Sequence, residues 1–169
     1  RSKVDILDDR RRHCIETGKP WEATPEALER HWNAAELATA GIRRFFATAT
    51  PTTAVKTVYR GLGGMPADVV EQMVNSGTFS LRGQTSSTSW SKEVARGFIE
   101  QNSKPGAWNV LLEIQEQKSG VYIEPITQVP GEYEVLMQGH IRLRITSVER
   151  VDLHGVDGHG TFLIRTVEE

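Results

Sequence analysis

Two glutamates one residue apart, Glu132 and Glu134, form the pattern in this chain that best suits chemistry. The apolar run Val135-Leu136-Met137 after them predicts a buried strand, and residues two apart in a strand point to the same face. We therefore expect both carboxylates to project into one space, with Tyr133 turned away. Two such carboxylates repel each other unless a cationic or hydrogen-bonding group lies between them, and sugar chemistry with an oxocarbenium-like centre supplies both. Taken alone, the pair is more typical of a solvated edge strand.

An arginine and a run of hydroxyl side chains precede the glutamates. Residues 57–61 read Thr-Val-Tyr-Arg-Gly, which predicts a strand that ends in an arginine and a glycine. Residues 86–89 read Ser-Ser-Thr-Ser, which predicts a turn before a helix over about residues 91–102. Taken alone, Arg60 is typical of a surface arginine at a strand end. Ser89 is typical of a helix N-cap, although its capping box is incomplete because a lysine lies three residues later.

In this order, the three elements resemble the Arg-Ser-Glu class of mono-ADP-ribosyltransferase toxins, in its Glu-x-Glu form. That family has an aromatic-Arg pair on one strand, then Ser-Thr-Ser, then Glu-x-Glu. Here these are Tyr59-Arg60, Ser87-Thr88-Ser89 and Glu132-Tyr133-Glu134, and the resemblance covers about residues 55–150. It implies that NAD is the co-substrate and that ADP-ribose passes to an acceptor. Nicotinamide is already a cationic leaving group, so the barrier lies in the positive charge that develops on the ribose.

The resemblance also implies a role for each matching catalytic residue. Glu134 would hold the ribose 2′-hydroxyl and stabilise the oxocarbenium-like transition state. Ser87 would hydrogen-bond Glu134 and so fix its rotamer. Glu132 would engage the guanidinium of an acceptor arginine, which is always protonated in water. Thr88 and Ser89 would shape the turn and cap the next helix.

Further residues match positions that contact NAD or the target in the family. Arg60 would contact phosphate through its planar guanidinium, or would buttress the strand around the site. Gly61 would let its backbone approach the nicotinamide amide closely. Phe98 lies where family members carry a ring that packs on nicotinamide, although an ordinary helix core residue explains it equally well. Residues 124–131 correspond to the loop that contacts the target protein.

Composition limits the class of protein without identifying a partner. The chain has 169 residues, 38% of them hydrophobic and 25% charged, which favours one soluble globular domain over residues 1–169. Its apolar runs are too short to span a bilayer, so no membrane partner is expected. A net charge of -2 argues against a strong electrostatic footprint for nucleic acid. The start at Arg1, together with the resemblance, predicts a fragment of a larger bacterial or phage protein.

Hydrophobic periodicity predicts an α+β fold, with a helical N-terminal layer over residues 1–50 and a β-rich catalytic core over residues 55–169. The layer is expected to cover one side of the site. The core is predicted as two packed mixed or antiparallel β-sheets with peripheral helices, and the resemblance implies that this is the ADP-ribosyltransferase fold. The predicted helices are 3–17, 25–48, 66–75 and 91–102, and the predicted strands are 55–60, 78–82, 108–115, 121–124, 141–146 and 161–167.

A group near the C-terminus, His154 and His159 with Asp152 and Asp157, could suggest a metal site. Its spacing matches no standard zinc pattern, and glycines lie between the histidines. A hairpin turn explains the segment better, so no metal is predicted.

The sequence thus predicts an NAD-dependent mono-ADP-ribosyltransferase whose acceptor is an arginine of a target protein. Rival acceptors on the same fold are water, in an NAD glycohydrolase, and a 2′-hydroxyl or base of RNA or DNA. A non-catalytic binding module is the rival from another class, and the combination of Arg60, Ser87, Glu132 and Glu134 argues against it. The resemblance further implies a secreted or injected effector that acts in the cytoplasm of a target cell, and it allows an immunity or inhibitor protein as a second partner.

Overall fold

Local sequence signals set the bounds of the first two helices. Helix α1 (Lys3–Glu16) begins at a capping box, in which the Ser2 hydroxyl accepts from the Asp5 amide and the Asp5 carboxylate accepts from the Ser2 amide. Helix α2 (Pro25–Thr48) has proline at its first position, where the missing N–H costs no hydrogen bond. Both predicted helices are confirmed, and they form one compact unit. The computed structural model of the protein describes residues 2–81, 85–153 and 155–169.

A second compact unit, Ala49–Glu169, is built on a mixed β-sheet. Its strands are β1 (Val58–Met65), β2 (Thr78–Ser80), β3 (Thr85–Ser89), β4 (Trp108–Gln115), β5 (Val121–Tyr122), β6 (Glu134–Gln138), β7 (Arg142–Val151) and β8 (Gly160–Glu168). Its helices are α3 (Ala67–Ser76) and α4 (Lys92–Asn102), and a 3-10 turn spans Glu124–Ile126. Within the described residues, the strand order is β2-β7-β8-β4-β1-β3-β6-β5. β4 and β8 pair in parallel, whereas the other described pairs are antiparallel.

The predicted α+β class is confirmed, and the strands divide into two groups that meet at one point. β2, β7, β8, β4 and β1 form the first group, and β3, β6 and β5 form the second. β1 and β3 are joined by a single described residue pair, Tyr59 opposite Ser89, whereas β1 pairs with β4 over most of its length. The two predicted sheets are therefore joined by hydrogen bonds into one continuous sheet. The junction lies between β1, which carries Arg60, and β3, which carries Ser87.

The serine-rich segment departs from its predicted conformation. The sequence pattern predicts a turn, but the segment lies in β3, which pairs with β6 from Thr85 opposite Gln138 to Ser89 opposite Glu134. Serine favours turns and caps because its hydroxyl can bond to nearby backbone groups. That local preference is weak, and the backbone ladder with β6 overrides it.

β1 is also longer than its predicted range of 55–60. It begins at Val58 and continues through three glycines to Met65. The first of these glycines is needed because α4 packs directly on the strand. A Cβ at Gly61 would lie 1.9 Å from the carbonyl oxygen of Ala95 in α4, a distance that no pair of non-bonded atoms tolerates.

Most of the remaining elements lie close to their predicted positions, but β7 continues to Val151, well beyond its predicted end at residue 146, because it pairs with β8 as far as Val151 opposite Thr161. β4 has its predicted bounds, and α3 ends at Ser76, where the next residue, Gly77, adopts the left-handed conformation typical of the position after a helix. β2 ends at Ser80, and the predicted end of this strand at Arg82 lies outside the described residues. β5 stops at Tyr122 because the 3-10 turn begins soon after it.

β4 organises the core because both of its faces are buried. Val110, Leu112 and Ile114 point into the larger apolar cluster, while Leu111 points to the opposite face and packs with Ala95 and Ile99 of α4. α4 is thereby held against the sheet beside the junction of β1 and β3.

Candidate active site

A cavity near the junction of β1 and β3 brings the sequence-predicted residues together. It has a volume of ≈ 290 Å³ and is lined by β1, β3, α4 and the segment that leads into β6. Residues from segments far apart in the chain thus share one concave surface, which is the usual setting for a binding site. The residues predicted for catalysis or NAD binding all line it: Arg60, Gly61, Ser87, Phe98, Glu132 and Glu134.

The side chain of Glu134 is held by Ser87. The Ser87 hydroxyl donates to Oε1 of Glu134 at 2.5 Å, across the paired strands β3 and β6. Ser87 is exposed, whereas its neighbours Ser86 and Thr88 are buried. The register of two antiparallel strands therefore brings a hydroxyl and a carboxylate together at the cavity wall.

Arg60 bridges the two groups of strands beyond their single residue pair. Its Nη1 donates to the backbone carbonyl oxygen of Ser87 at 2.8 Å, so the guanidinium links β1 to β3. Burial lowers the pKa of Arg60, but the guanidinium stays cationic at neutral pH because its ordinary pKa is very high. The contact agrees with the buttressing role suggested from the sequence, and it places a positive charge at the cavity.

Glu132 reaches the cavity by a route that differs from the prediction. β6 begins at Glu134, so Glu132 and Tyr133 precede the strand, and strand alternation does not explain why the two carboxylates share a wall. Gly131 and Tyr133 instead have positive φ values of 91° and 49°, which makes a tight turn around Glu132. The Tyr133 ring packs against Trp90, with ring centroids 4.6 Å apart.

Ser89 supports this turn and does not cap α4 as predicted. Its hydroxyl donates to the carbonyl oxygen of Glu132 at 2.6 Å and accepts from the Ser91 amide at 3.0 Å. The N-cap is Ser91, whose hydroxyl accepts from the Val94 amide. Thr88, also predicted to shape the turn, donates from its hydroxyl to the carbonyl oxygen of Val135. The three hydroxyls of Ser-Thr-Ser therefore all bond to β6 or to the residues that lead into it.

Phe98 and Gly61 form the part of the wall near α4. Phe98 is 37% exposed and lines the cavity, whereas Ala95 and Ile99 on the same helix are buried. The structure thus favours the cavity-lining interpretation of Phe98 over that of a core residue. Gly61 is at the cavity because α4 touches the strand there, a reason that sequence reasoning did not supply.

A second cavity, which the sequence did not predict, adjoins the first through Arg60. It has a volume of ≈ 410 Å³, and Arg60 lines both cavities. Ser86 lines the second cavity while Ser87 lines the first, so the two lie on opposite faces of β3. Its apolar lining comes from α3 and from β1, β2, β4 and the residue after β2: Leu62, Met65, Val69, Met73, Phe79, Leu81 and Leu112.

Tyr59 lines the first cavity and belongs to a polar cluster that the sequence also did not predict. Burial, and to a smaller extent the charge and hydrogen bond of Glu113, raise the pKa of the Tyr59 phenol. Glu113 in turn accepts from Arg165 Nε at 3.1 Å and from Gln115 Nε2 at 2.9 Å. A tyrosine phenol is already neutral at physiological pH, and the raised pKa moves its ionisation further from that range, so Tyr59 adds no negative charge to the cavity.

The other candidates from the sequence do not join the site. Of the suggested metal group, His154 lies outside the described residues, and the His159 ring lies 5.6 Å from that of Trp108. No cluster of three or more His, Cys, Asp or Glu side chains that could hold a metal occurs in the described residues. No helix in residues 2–81, 85–153 and 155–169 is long and apolar enough to cross a membrane.

Comparison with known proteins identifies the family to which this arrangement corresponds. A family model described as ADP-ribosyltransferase exoenzyme matches residues 43–168. The Vis toxin, an ADP-ribosyltransferase from Vibrio splendidus, is similar in fold with a TM-score of 0.59 and 18% identity, over 88% of this chain and 63% of that chain. Vis in complex with agmatine is similar with a TM-score of 0.59 and 19% identity, over 82% of this chain and 59% of that chain. An ADP-ribosyltransferase from Clostridium botulinum is similar with a TM-score of 0.53 and 17% identity, over 97% of this chain and 77% of that chain.

At these identities, the solved structures support the fold alone. The chain spans only 58% to 63% of the length of the Vis chains that it matches. No curated protein matches the sequence.

Proposed function

The chain belongs to the ADP-ribosyltransferase exoenzyme family, and we propose that it transfers ADP-ribose from NAD to an arginine of a target protein, with release of nicotinamide. The observation that carries this proposal is the carboxylate of Glu134, which Ser87 holds in the cavity that Arg60 and Glu132 also line. Arg60 supplies a cation, Ser87 a hydroxyl, and Glu132 and Glu134 the two carboxylates that this reaction needs.

Two adjoining cavities suit the two halves of a dinucleotide. Arg60 lies at both, and a guanidinium binds the oxygens of a pyrophosphate well because its donors form a planar fork. The nicotinamide ribose would occupy the cavity of Glu134 and Phe98, where the aromatic ring can pack on nicotinamide. Adenosine would occupy the larger cavity, whose apolar lining suits a flat, largely apolar base. The residues present therefore fit NAD.

The reaction breaks the bond between C1′ of the ribose and the nicotinamide nitrogen. The electron pair of that bond goes to the pyridinium ring, so nicotinamide leaves as a neutral molecule. Positive charge develops on the ribose, and the Glu134 carboxylate stabilises it while accepting a hydrogen bond from the 2′-hydroxyl. Ser87 keeps this carboxylate in position, because one of its oxygens is already bound to the serine hydroxyl.

The presence of Glu132 is the reason that we favour arginine as the acceptor. Its carboxylate lines the same cavity as Glu134, where it can orient an incoming guanidinium and take the proton released when a guanidinium nitrogen bonds to C1′. The complex of Vis with agmatine supports this choice, since agmatine carries a guanidinium group. Water and a nucleic-acid hydroxyl also release a proton, but they carry no guanidinium cation for this carboxylate to orient. We also propose that the protein acts as a secreted or injected effector in the cytoplasm of a target cell, and that an immunity protein can cover the site.

The acceptor is identified by incubating the protein with labelled NAD and a whole-cell lysate and separating the protein and RNA fractions. We expect label in protein, and mass spectrometry should place ADP-ribose on arginine. Label that survives protease in the RNA or DNA fraction would support a nucleic-acid acceptor instead. Nicotinamide release without label in any macromolecule would indicate an NAD glycohydrolase, and no release would indicate a binding module.

A further inference from the structure

One side chain, the carboxylate of Glu124, joins the start of the ten-residue segment from Glu124 to Tyr133 to its end. The Glu124 carboxylate accepts from the amide of Gly131 at 2.5 Å through Oε1 and from the amide of Tyr133 at 2.9 Å through Oε2. These two amides flank Glu132 on either side. A carboxylate at the start of the segment thus fixes the backbone at its end, and hydrogen bonds to a charged acceptor are among the stronger ones in proteins.

Glu124 can act as an anchor because its own backbone is held. β5 ends two residues before it and pairs with β6, with Val121 opposite Leu136 and Tyr122 opposite Val135. The Ile123 amide also donates to the carbonyl oxygen of Glu134 at 3.0 Å. The 3-10 turn begins at Glu124, so the carboxylate projects from a residue that the strand pair already positions.

The backbone that Glu124 holds includes a residue in an uncommon conformation. Gly131 and Tyr133 both have positive φ, and for a tyrosine that conformation is uncommon and costs free energy. Two other bonds complete the hold: Ser89 donates to the Glu132 carbonyl oxygen, and the Trp90 amide donates to that of Tyr133. Ser89 and Trp90 fix the carbonyl side of the turn, and Glu124 fixes the amide side.

We propose that Glu124 is a positioning residue that directs the Glu132 carboxylate to the acceptor. This inference rests on the proposed function, in which Glu132 serves the acceptor and Glu134 serves NAD. Glu134 lies in β6, and its carboxylate is held by Ser87 and not by Glu124. Loss of the Glu124 carboxylate should therefore impair transfer to the acceptor while NAD hydrolysis continues.

The test compares Glu124→Ala and Glu124→Gln with wild type, using agmatine as the acceptor. Alanine removes both acceptor oxygens, whereas glutamine retains one, so transfer should fall from wild type to Gln to Ala. For the alanine variant we expect a loss of about 10- to 100-fold in kcat/KM for agmatine, the scale of a misplaced reacting group. Hydrolysis of NAD without agmatine should change far less.

Glu168 offers a matched control. Its carboxylate likewise accepts from two successive backbone amides, those of Lys118 and Ser119, but it lines neither cavity. Glu168→Gln should leave the ratio of transfer to hydrolysis unchanged. A merely structural role for Glu124 would lower transfer and hydrolysis together, and that result, or unchanged transfer in Glu124→Ala, would overturn the inference.

Amide hydrogen exchange separates this inference from the proposed function. The Gly131 and Tyr133 amides should lose protection in Glu124→Ala, whatever the acceptor is. Unchanged protection of these two amides in Glu124→Ala would show that the Glu124 carboxylate does not hold them. A wild-type protein that shows this protection but releases no nicotinamide from NAD would contradict the proposed function, and with it the role assigned to Glu124.

Discussion

The chemistry of the site depends on how single side chains are held. Glu134 is fixed by a hydroxyl, Arg60 is fixed by a backbone carbonyl, and Glu132 lies in a turn whose backbone is bonded on both sides. Such preorganisation matters because groups that are already aimed at the developing charge need no reorganisation during the reaction. Changes to these residues should therefore affect catalysis more than folding.

Glu134→Gln is expected to abolish both transfer and NAD hydrolysis. Glutamine keeps the shape of the side chain but lacks the negative charge that stabilises the ribose cation. We expect the rate of nicotinamide release to fall by more than ~100-fold, the scale of removing one preorganised electrostatic group. A thermal melt equal to that of wild type serves as the control, and near-wild-type turnover in a folded variant would show that the assigned role is wrong.

Arg60 and Ser87 should differ in what they contribute. Arg60→Ala removes the cation between the two cavities, so calorimetry should show weaker NAD binding. Ser87→Ala removes the hydrogen bond to Glu134 and should reduce turnover more than NAD affinity. The two variants control for each other. Unchanged NAD affinity and turnover in Arg60→Ala would remove Arg60 from the site.

At the scale of elements, the cavity wall near Phe98 forms because α4 packs directly against β1 at Gly61. The carbonyl oxygen of Ala95 lies where a side chain at Gly61 would start, and this contact holds the helix that carries Phe98 at the cavity. β3 and β6 contribute the other wall through their register. The positions of Ser87 and Glu134 therefore follow from strand pairing, while that of Phe98 follows from helix packing.

Gly61→Ala tests the contact between α4 and β1. The added methyl group would overlap the Ala95 carbonyl oxygen, so the helix must shift away from the strand. We expect the free energy of unfolding to fall by about 1–3 kcal/mol, as is typical for overpacking, together with weaker NAD binding. Gly97→Ala is the matched control on α4, because a Cβ there meets no atom within 4 Å. That variant should be stabilised by roughly 0.5–1 kcal/mol. Equal stabilities of the two variants in chemical denaturation would contradict this packing.

Elements with strong local signals could be predicted from the sequence, and those set by distant partners could not. Pro25, Gly77 and the apolar run of β4 mark their elements directly. The serine segment carries a local preference for turns, and only the β6 ladder shows that it is a strand. Likewise, nothing local predicts a positive φ at Tyr133, because this depends on bonds to Glu124 and Trp90.

On the scale of the whole molecule, the site is easier to predict than its surroundings. The order of Arg60, Ser87, Glu132 and Glu134 along the chain suffices to bring them to one cavity, because the fold that places them is shared by the family. The second cavity escapes prediction because its lining comes from several elements whose packing has no sequence motif. The same is true of the cluster formed by Tyr59, Glu113 and Arg165. Arg60 lines both cavities, which is the reason we propose that together they bind a dinucleotide.

The most direct test of the central claim is to measure nicotinamide release and agmatine modification together in wild type and in Glu132→Gln. If Glu132 serves an arginine acceptor, the variant should lose transfer to agmatine but retain nicotinamide release, because the ribose cation still forms and water captures it. Glu134→Gln, which should lose both, provides the reference. Equal loss of the two activities in Glu132→Gln, or wild-type protein that releases nicotinamide without modifying any guanidinium, would contradict an arginine-specific ADP-ribosyltransferase.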